Sequence, residues 1–305
     1  MISRRALLLG GLGGLGAFAA AGGTGYALVE NDVLPGRVRL AKALGRCGDA
    51  PAPPAASTAV RRITWRSERR RTDVTATVVL PAADASLRDL PVAVALHGSG
   101  GDGASAVRSL ALDRYLPDAV ARGGVPPFAI VAVDGGPDTY WHARADGDDP
   151  VGMIVDELLP RLRGQGARTG RIGAIGWSMG GYGALVLARR LGAPRTAAVV
   201  ASSPALFASY DDARSTNARS FDGAADFARN DVFRALDALK GVPIRVDCGT
   251  SDPFAPMVRK LRGRIHPEGS MGGGCHDGGF WRPRLPAQLA FLGHHLAGTR
   301  PARRA

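Results

Sequence analysis

The sequence predicts an α/β fold with a mostly parallel central sheet, helices on both faces and a small cap or insertion. Short apolar runs of strand length recur along the chain and alternate with helical segments. A parallel connection needs a crossover, which an alternating order of strands and helices supplies. The predicted strands are residues 74–80, 92–96, 128–133, 171–175, 197–201 and 244–248.

Two further observations support this fold. Residues 63–65 and 74–80 are separated by the turn Arg69-Arg70-Arg71, which predicts an antiparallel hairpin at the start of the sheet. A glycine-rich segment, 176–180, connects the strand at 171–175 to a helical segment that begins at Tyr182. A sharp turn from a strand into a helix is typical of α/β folds that carry their functional groups at the strand ends.

One folded domain is predicted, over residues 60–298, which is long enough to bury a substantial core. Residues 30–59 form a predicted linker, because Pro51, Pro53 and Pro54 disfavour regular structure there. Residues 299–305 form a basic tail.

The N-terminal residues 1–29 have the features of a targeting segment. Ser3-Arg4-Arg5 precedes an uncharged stretch, 6–29, that is rich in Leu, Ala and Gly, as in a twin-arginine export signal. The same stretch is long enough to span a bilayer, and small residues at Ala19 or Ala21 offer a cleavage site. A cleaved signal and a retained membrane anchor both stay open, and both predict an extracytoplasmic domain.

The most informative motif is Gly176-Trp177-Ser178-Met179-Gly180. It follows a predicted strand and precedes a helix that Gly192 and Pro194 end, which is the context of a nucleophile elbow. Such a turn holds a serine Oγ exposed above the sheet, so Ser178 is the predicted nucleophile. The alternative is an inert serine in a glycine-rich turn, in a chain that has 42 glycines.

A serine nucleophile needs a base and an orienting acid, which follow it in the order acid, then histidine, in this architecture. Asp252 comes after the apolar run 244–248, at the place expected for the acid, and Asp247 inside that run is the reserve candidate. His276 lies in a glycine-rich loop and is the predicted base. Packing or surface roles are predicted for the other histidines after Asp252, which are His266, His294 and His295.

An acyl-transfer site also needs donors for an oxyanion. The backbone N–H of Met179, at the start of the elbow helix, is one predicted donor. The second is the N–H of Ser99, in His97-Gly98-Ser99-Gly100-Gly101 directly after the strand at 92–96. His97 precedes the serine in the chain, so we expect it to shape this turn rather than to act as the base.

These motifs resemble the esterase group of α/β-hydrolases that includes esterase D (S-formylglutathione hydrolase) and the secreted mycolyltransferases of actinobacteria. The resemblance covers residues 60–298 and is strongest at 176–185, at Asp156-Glu157-Leu158-Leu159-Pro160, and in the loops 249–254 and 276–281. It implies an exported actinobacterial member with an α/β-hydrolase fold. It also implies a Ser178, Asp252 and His276 triad with an oxyanion hole at Ser99 and Met179. The stretch after the third strand departs from the thiol esterases, and the trehalose contacts of the mycolyltransferases are not matched, so neither substrate transfers.

Two loops are expected to shape a substrate pocket, since ligands bind beyond the carboxyl ends of the strands. The loop 134–150 carries Asp134, Tyr140, Trp141 and His142, which are candidates for substrate binding; a hydrogen-bonded surface loop is the alternative. The segment 202–239 is rich in aromatic residues and predicts a small helical cap, in which most rings pack in the core.

Three cysteines allow one disulfide and one leftover thiol, in keeping with an oxidising compartment. Cys248 and Cys275 lie beside the proposed acid and histidine and form one candidate pair. Cys47 with either of them is the alternative, and the sequence leaves the three pairings open. No Cys/His spacing predicts a metal site, and no cofactor is expected.

The charge balance is basic, with 39 Lys and Arg against 27 Asp and Glu, a net charge of +12. The arginines are spread along the chain without a nucleic-acid-binding motif, so we expect no nucleic-acid partner. A solvated basic surface that rests on a membrane or cell-envelope polymer is the preferred interpretation.

Three classes of function follow from these motifs. The first is an exported serine esterase that hydrolyses small-molecule or lipid esters through an acyl-enzyme. The second is an acyltransferase of the mycolyl type, which passes the same acyl group to an envelope sugar or lipid. The third is a non-catalytic binding module with this fold, which the complete triad disfavours.

Overall fold

The computed structural model describes residue 40 and residues 42–298. The predicted signal or anchor at 1–29 and the basic tail at 299–305 lie outside the described residues. Within the described part of the chain, no helix combines the length and the apolar character needed to cross a membrane.

An eight-stranded sheet forms the centre of the described domain, in the order β1-β2-β4-β3-β5-β6-β7-β8. β1 pairs with β2 and β2 with β4 in antiparallel fashion, and every other pairing is parallel. The predicted mostly parallel sheet with an antiparallel start is thus confirmed. The strands are β1 Val60–Ser67, β2 Thr72–Val79, β3 Pro91–Leu96, β4 Ala129–Val133, β5 Arg168–Trp177, β6 Thr196–Ser202, β7 Ile244–Gly249 and β8 Met271–Gly272.

Helices cover both faces of the sheet, as predicted, and this explains the almost continuous apolar runs of β3, β4 and β6. One apolar cluster packs α1 Gly103–Leu110, α2 Leu112–Ala121 and α10 Leu285–Leu296 against one face. The other face is covered by α3 Pro150–Met153, a π-helical turn Ile154–Leu158, α4 Leu159–Gly164, α5 Met179–Arg195 and α8 Ala255–Ile265. The short helix α9 Gly278–Trp281 precedes α10 in the chain. Regular helical geometry in α5 breaks at Gly192, which has φ 70° and ψ 172°.

A small helical insertion lies between β6 and β7. It contains α6 Tyr210–Thr216, α7 Ala224–Asn230 and the short helices Val232–Arg234 and Leu236–Leu239. Its Phe221 is buried and packs against Tyr140 and Tyr182, with ring centroids 5.7 and 6.1 Å away. The insertion is therefore joined to the loop that follows β4 by an aromatic core.

The segment before β1 is tied to the domain at both ends. Cys47 forms a disulfide with Cys275, with Cα atoms 5.1 Å apart, which is a usual disulfide separation. The N–H of Thr58 donates to the carbonyl of Asp113 at 2.9 Å. The first strand begins at Val60, whereas the covalent attachment to the domain begins at Cys47, in the predicted linker.

The disulfide corrects the first of the pairings that the sequence left open. Cys248 is not joined to Cys275; it is a buried free thiol in β7. The reason is the path of the N-terminal segment, which brings Cys47 to the loop of Cys275. Burial raises the pKa of the Cys248 thiol well above its usual value, so this group is protonated at neutral pH.

Candidate active site

Ser178 occupies a strained turn between β5 and α5. β5 ends at Trp177 and α5 begins at Met179, so one residue makes the reversal. Ser178 has φ 58° and ψ −123°, a conformation that residues other than glycine rarely adopt. A Cβ at Gly180 would overlap the backbone carbonyl of Leu96, so glycine is required for α5 to pack against β3. The geometry is that of a nucleophile elbow.

Two hydrogen bonds connect Ser178 to the other residues that the sequence selected. The Oγ of Ser178 lies 2.8 Å from Nε2 of His276. On the other side of the ring, Nδ1 lies 2.8 Å from Oδ2 of Asp252. The Asp252 side chain is fully buried, and its Oδ1 accepts the N–H of Phe254 at 2.9 Å. The carboxylate thus places the proton on Nδ1, which leaves Nε2 as an acceptor for the serine hydroxyl.

Aromatic side chains hold the His276 ring from two sides. Phe254 and Trp281 make edge contacts with it, at centroid distances of 5.2 and 5.0 Å. The Nε1–H of Trp281 donates to Oγ of the buried Ser203 at 3.0 Å, which fixes the indole. The ring orientation therefore rests on packing as well as on the two polar contacts.

Backbone N–H groups lie beside the serine. Met179 is the first residue of α5, where helix N–H groups have no partner within the helix and the helix dipole favours negative charge. The turn 97–101 follows β3 and passes the elbow, and a Cβ at Gly98 would stand 3.6 Å from the Cβ of Ser178. Ser99 and Ser178 line the same cleft. The structure thus brings together both segments from which the oxyanion donors were predicted.

His97 is buried, and both of its ring nitrogens form hydrogen bonds with backbone groups. Its Nε2 accepts the N–H of Gly135 at 3.0 Å, so Nδ1 carries the proton and donates to the carbonyl of Gly98 at 2.8 Å. Burial lowers the pKa of His97, which keeps the ring neutral at pH 7. The ring bridges the turns after β3 and β4, which agrees with the predicted shaping role.

Asp247, the reserve candidate for the acid, is also fully buried but faces other partners. It pairs with Arg245 at 2.8 Å, accepts the N–H of Ser270 at 3.0 Å and accepts from Nε2 of Gln288 at 3.0 Å. These contacts join β7 to α10 and to the segment before β8. Asp247 is therefore a structural carboxylate.

The four predicted substrate-binding residues do not line the cleft with Ser178, and this prediction is corrected. Asp134 accepts the N–H of Gly103 at 2.7 Å at the start of α1. Trp141 is fully buried and donates to the carbonyl of His97 at 3.2 Å. Tyr140 and His142 are 3% and 2% exposed and pack against the insertion. Tyr140 and Trp141 therefore belong to the core, whereas His142 lines a separate cavity of about 440 Å³ together with Arg189 and Asn230.

The cleft beside Ser178 has a volume of about 300 Å³. Its walls include residues to which the sequence assigned no role, four from α1 and two tryptophans: Ser105, Ala106, Ser109, Leu110, Trp177 and Trp281. The position of α1 directly after the oxyanion turn was the available signal for this wall. The walls are mostly apolar and the volume is near the lower end for ligand sites, which suits a compact acyl or alcohol group.

A larger cavity, of about 640 Å³, lies near the amino end of β7, beside Ile244 and His266. It contains neither the serine nor the histidine of the elbow, so the smaller cleft is the candidate active site. Among the described residues, no group of three or more His, Cys, Asp or Glu side chains is arranged to hold a metal ion.

The family model described as "Putative esterase" matches residues 67–292. A comparison with curated protein sequences finds no match.

Solved structures with the same fold include a ferulic acid esterase, with 19% identity and a TM-score of 0.65 over 78% of this chain and 98% of that one. A substrate-bound, fluorophosphonate-binding serine hydrolase of Staphylococcus aureus has 17% identity and a TM-score of 0.62, over 77% and 98%. An S-formylglutathione hydrolase of Agrobacterium tumefaciens has 17% identity and a TM-score of 0.63, over 77% and 94%. These structures share the α/β-hydrolase fold.

Proposed function

Because the chain belongs to the esterase family, whose model spans most of the domain, we propose that it hydrolyses acyl esters through a covalent acyl-enzyme on Ser178. One observation carries the proposal. Two hydrogen bonds of 2.8 Å link the strained serine to His276 and His276 to the buried Asp252. A serine, a base and an orienting acid in this order are the requirements for activating a hydroxyl nucleophile.

In the first half-reaction, Nε2 of His276 takes the proton of the Ser178 hydroxyl as Oγ attacks the ester carbonyl carbon. The carbonyl oxygen becomes an oxyanion, which accepts hydrogen bonds from the N–H groups of Met179 and Ser99. The imidazolium that forms is stabilised by Asp252, which stays ionised. Collapse of the tetrahedral intermediate breaks the bond to the alcohol oxygen, and His276 returns the proton to that oxygen.

In the second half-reaction, water takes the place of the alcohol. His276 accepts a proton from the water as it attacks the acyl carbon, and the same N–H groups stabilise the second oxyanion. Collapse of this second intermediate breaks the bond between the acyl carbon and Oγ, and His276 returns the proton to Oγ, which restores the Ser178 hydroxyl and releases the carboxylic acid. The cleft of about 300 Å³ favours short or compact acyl groups over long ones.

The test is turnover of p-nitrophenyl esters of increasing acyl length by wild type, Ser178→Ala and Ser86→Ala. Ser86 is an exposed serine before β3 and serves as the matched control. We expect hydrolysis that decreases for long acyl chains, loss of turnover in Ser178→Ala and unchanged turnover in Ser86→Ala. Equal activity in all three proteins would refute the proposal. An acyl product that forms only when glycerol or trehalose is added would identify a transferase instead.

The enzyme is further proposed to act outside the cytoplasm. The twin-arginine pattern at Arg4 and Arg5, with the apolar stretch 6–29, supports export, and the Cys47–Cys275 disulfide suits an oxidising compartment. Replacing Arg4 and Arg5 together by lysine should leave the protein in the cytoplasmic fraction. An unchanged distribution between cytoplasm and envelope would contradict this part of the proposal.

A further inference from the structure

Two consecutive residues of the turn 97–101, Ser99 and Gly100, form hydrogen bonds with the loop that follows β4. The hydroxyl of Ser99 donates to Oδ1 of Asp138 at 2.7 Å. The N–H of the next residue, Gly100, donates to the carbonyl of Pro137 at 2.7 Å. The turn lies outside regular secondary structure. The peptide group of the Ser99 N–H is held on its carbonyl side, where Gly98 accepts from His97 and Gly101, and the contacts of Ser99 and Gly100 hold the chain that follows it.

Asp138 is itself held by the insertion between β6 and β7. The Nδ2 of Asn217 donates to Oδ1 of Asp138 at 2.9 Å, and the guanidinium of Arg219 forms an ion pair with Oδ2. The N–H of Arg219 donates to Oδ1 of Asn217 at 3.0 Å, which fixes the amide. Oδ1 of Asp138 thus accepts from Ser99 of the turn and from Asn217 of the insertion, and Oδ2 pairs with Arg219 of the insertion.

The carboxylate of Asp138 is largely buried and ionised, which suits it to holding its neighbours in place. Its side chain is 13% exposed, whereas that of Arg219 is 77% exposed. Burial of Asp138 opposes its ionisation, but the hydrogen bonds from Ser99 and Asn217 and the charge of Arg219 outweigh that effect and lower the pKa. The group is therefore an anion at neutral pH, and hydrogen bonds to an anion are shorter and stronger than neutral ones.

From this geometry we propose that Asp138 is the positioning residue of the oxyanion site: it holds the Ser99 N–H toward the nucleophile, and Asn217 and Arg219 hold Asp138. The inference rests on the proposed esterase function. It couples the helical insertion to catalysis, because a displacement of Arg219 reaches Ser99 through the Asp138 carboxylate. A displacement of Asn217 reaches Ser99 through that carboxylate and through its own contact with Oγ of Ser99 at 3.3 Å.

A positioning role has a kinetic signature that a purely structural role lacks. The oxyanion exists in the transition state and not in the bound ester, so a misplaced N–H lowers kcat while KM changes little. A boronic acid that forms a tetrahedral adduct with a serine should lose affinity in parallel with kcat/KM. Loss of an oxyanion donor costs roughly 100- to 1000-fold in kcat, so a displaced donor should cost about 10- to 100-fold.

The experiment uses the full chain with Asp138→Ala, Asp138→Asn, Ser99→Ala and the double variant Ser99→Ala/Asp138→Ala. Ser99→Ala keeps the backbone N–H of residue 99 and removes the hydroxyl that donates to Asp138. Asp138→Asn keeps an oxygen that accepts from Ser99 and loses the charge that pairs with Arg219. Asp211→Ala is the control, because Asp211 is an exposed acid in α6 that pairs with the exposed Arg214.

We expect Asp138→Ala and Ser99→Ala to lower kcat by similar factors, of about tenfold or more, with KM within about twofold of wild type. The double variant should be no worse than the poorer single variant, because both changes break one link. Asp138→Asn should recover part of the loss. Asp211→Ala should match wild type.

Wild-type kcat in Asp138→Ala, multiplying effects in the double variant, or a change confined to KM would each overturn the inference. If Asp138→Ala does not fold, a wild-type kcat in Ser99→Ala overturns it equally. In each of these cases the proposed function still stands if the wild type hydrolyses the ester and Ser178→Ala does not. A wild type with no turnover refutes the proposed function and this inference together.

Discussion

Two histidine-bearing loops meet at the cleft, and they use the same ring in opposite ways. His97 and His276 both stand in glycine-rich segments at the carboxyl end of the sheet. Both nitrogens of His97 bind backbone groups, those of Gly98 and Gly135. The nitrogens of His276 bind two side chains, those of Ser178 and Asp252.

The difference shows that hydrogen-bond partners assign the role of a histidine. Backbone partners hold His97 in one tautomer, and burial lowers its pKa, so the ring stays neutral and acts as a brace. His276 faces a hydroxyl on one side and a carboxylate on the other, so the ring is able to accept a proton and remain stabilised. A glycine-rich context is common to both loops and does not distinguish them.

The largest expected effect separates the two rings directly. His276→Ala should lower kcat/KM for a p-nitrophenyl ester by about 10⁵-fold or more, since the general base is lost. His97→Gln should cost about tenfold or less, because His97 contacts the backbone and not the hydroxyl of Ser178. Comparable losses in the two variants would break the comparison.

The two buried carboxylates of the β7 region form a second pair. Asp252→Asn should lower kcat by about 10⁴-fold, because an amide favours the wrong tautomer of His276. Asp247→Asn should keep kcat within about tenfold of wild type and lower the unfolding midpoint, because its contacts to Arg245 and Gln288 are structural. Steady-state kinetics with thermal unfolding of both variants decides this, and a reversed order would assign the acid to Asp247.

The His97 loop and the His276 loop also differ in covalent attachment. In the described part of the chain, only the His276 loop carries a disulfide, between Cys47 and Cys275. Cys47→Ser should lower the free energy of unfolding by about 2–5 kcal/mol and make the protein insensitive to dithiothreitol. Cys248→Ala is the control and should keep the sensitivity of wild type to the reductant. Urea unfolding with and without reductant measures both effects, and an unchanged Cys47→Ser would contradict the account.

The three residues that the structure joins by hydrogen bonds, Ser178, His276 and Asp252, share a local signal in the sequence. Ser178 is marked by its turn, and Asp252 and His276 are marked by their order after it, so short segments sufficed to select all three. The aromatic loop was misjudged because Tyr140, Trp141 and His142 have the composition of a pocket wall. Tyr140 and His142 pack against Phe221, and Trp141 packs against His97; both partners are distant in sequence and meet these residues only in the fold.

Contacts between distant segments were beyond the sequence for the same reason. The path of the chain before β1 decides that Cys47 reaches Cys275, and no spacing rule encodes it. Asp138 gives no motif of its own. Its importance comes from Ser99 on one side and Asn217 and Arg219 on the other, which the fold brings together.

The smallest expected effect is a pH dependence of stability that comes from His97, whose ring is buried and bound to two backbone groups. Its folded-state pKa lies below the usual value of 6.5, so its contribution to stability is present above that pH and is lost as the pH falls. The unfolding midpoint of wild type should therefore decrease on acidification by a few degrees. His97→Gln should show a smaller decrease, with a remainder from His142, whose pKa burial also lowers. An equal dependence of the unfolding midpoint on pH in the two proteins would contradict the interpretation that His97 is neutral and structural.

The most direct test of the central claim is the site and rate of covalent labelling by a fluorophosphonate, followed by peptide mass mapping of the folded protein. The account predicts one adduct, on Ser178, which is absent in Ser178→Ala, strongly slowed in His276→Ala and retained in His97→Gln. An adduct on another serine, or none on folded wild type, would contradict the assignment of Ser178 as a nucleophile activated by His276.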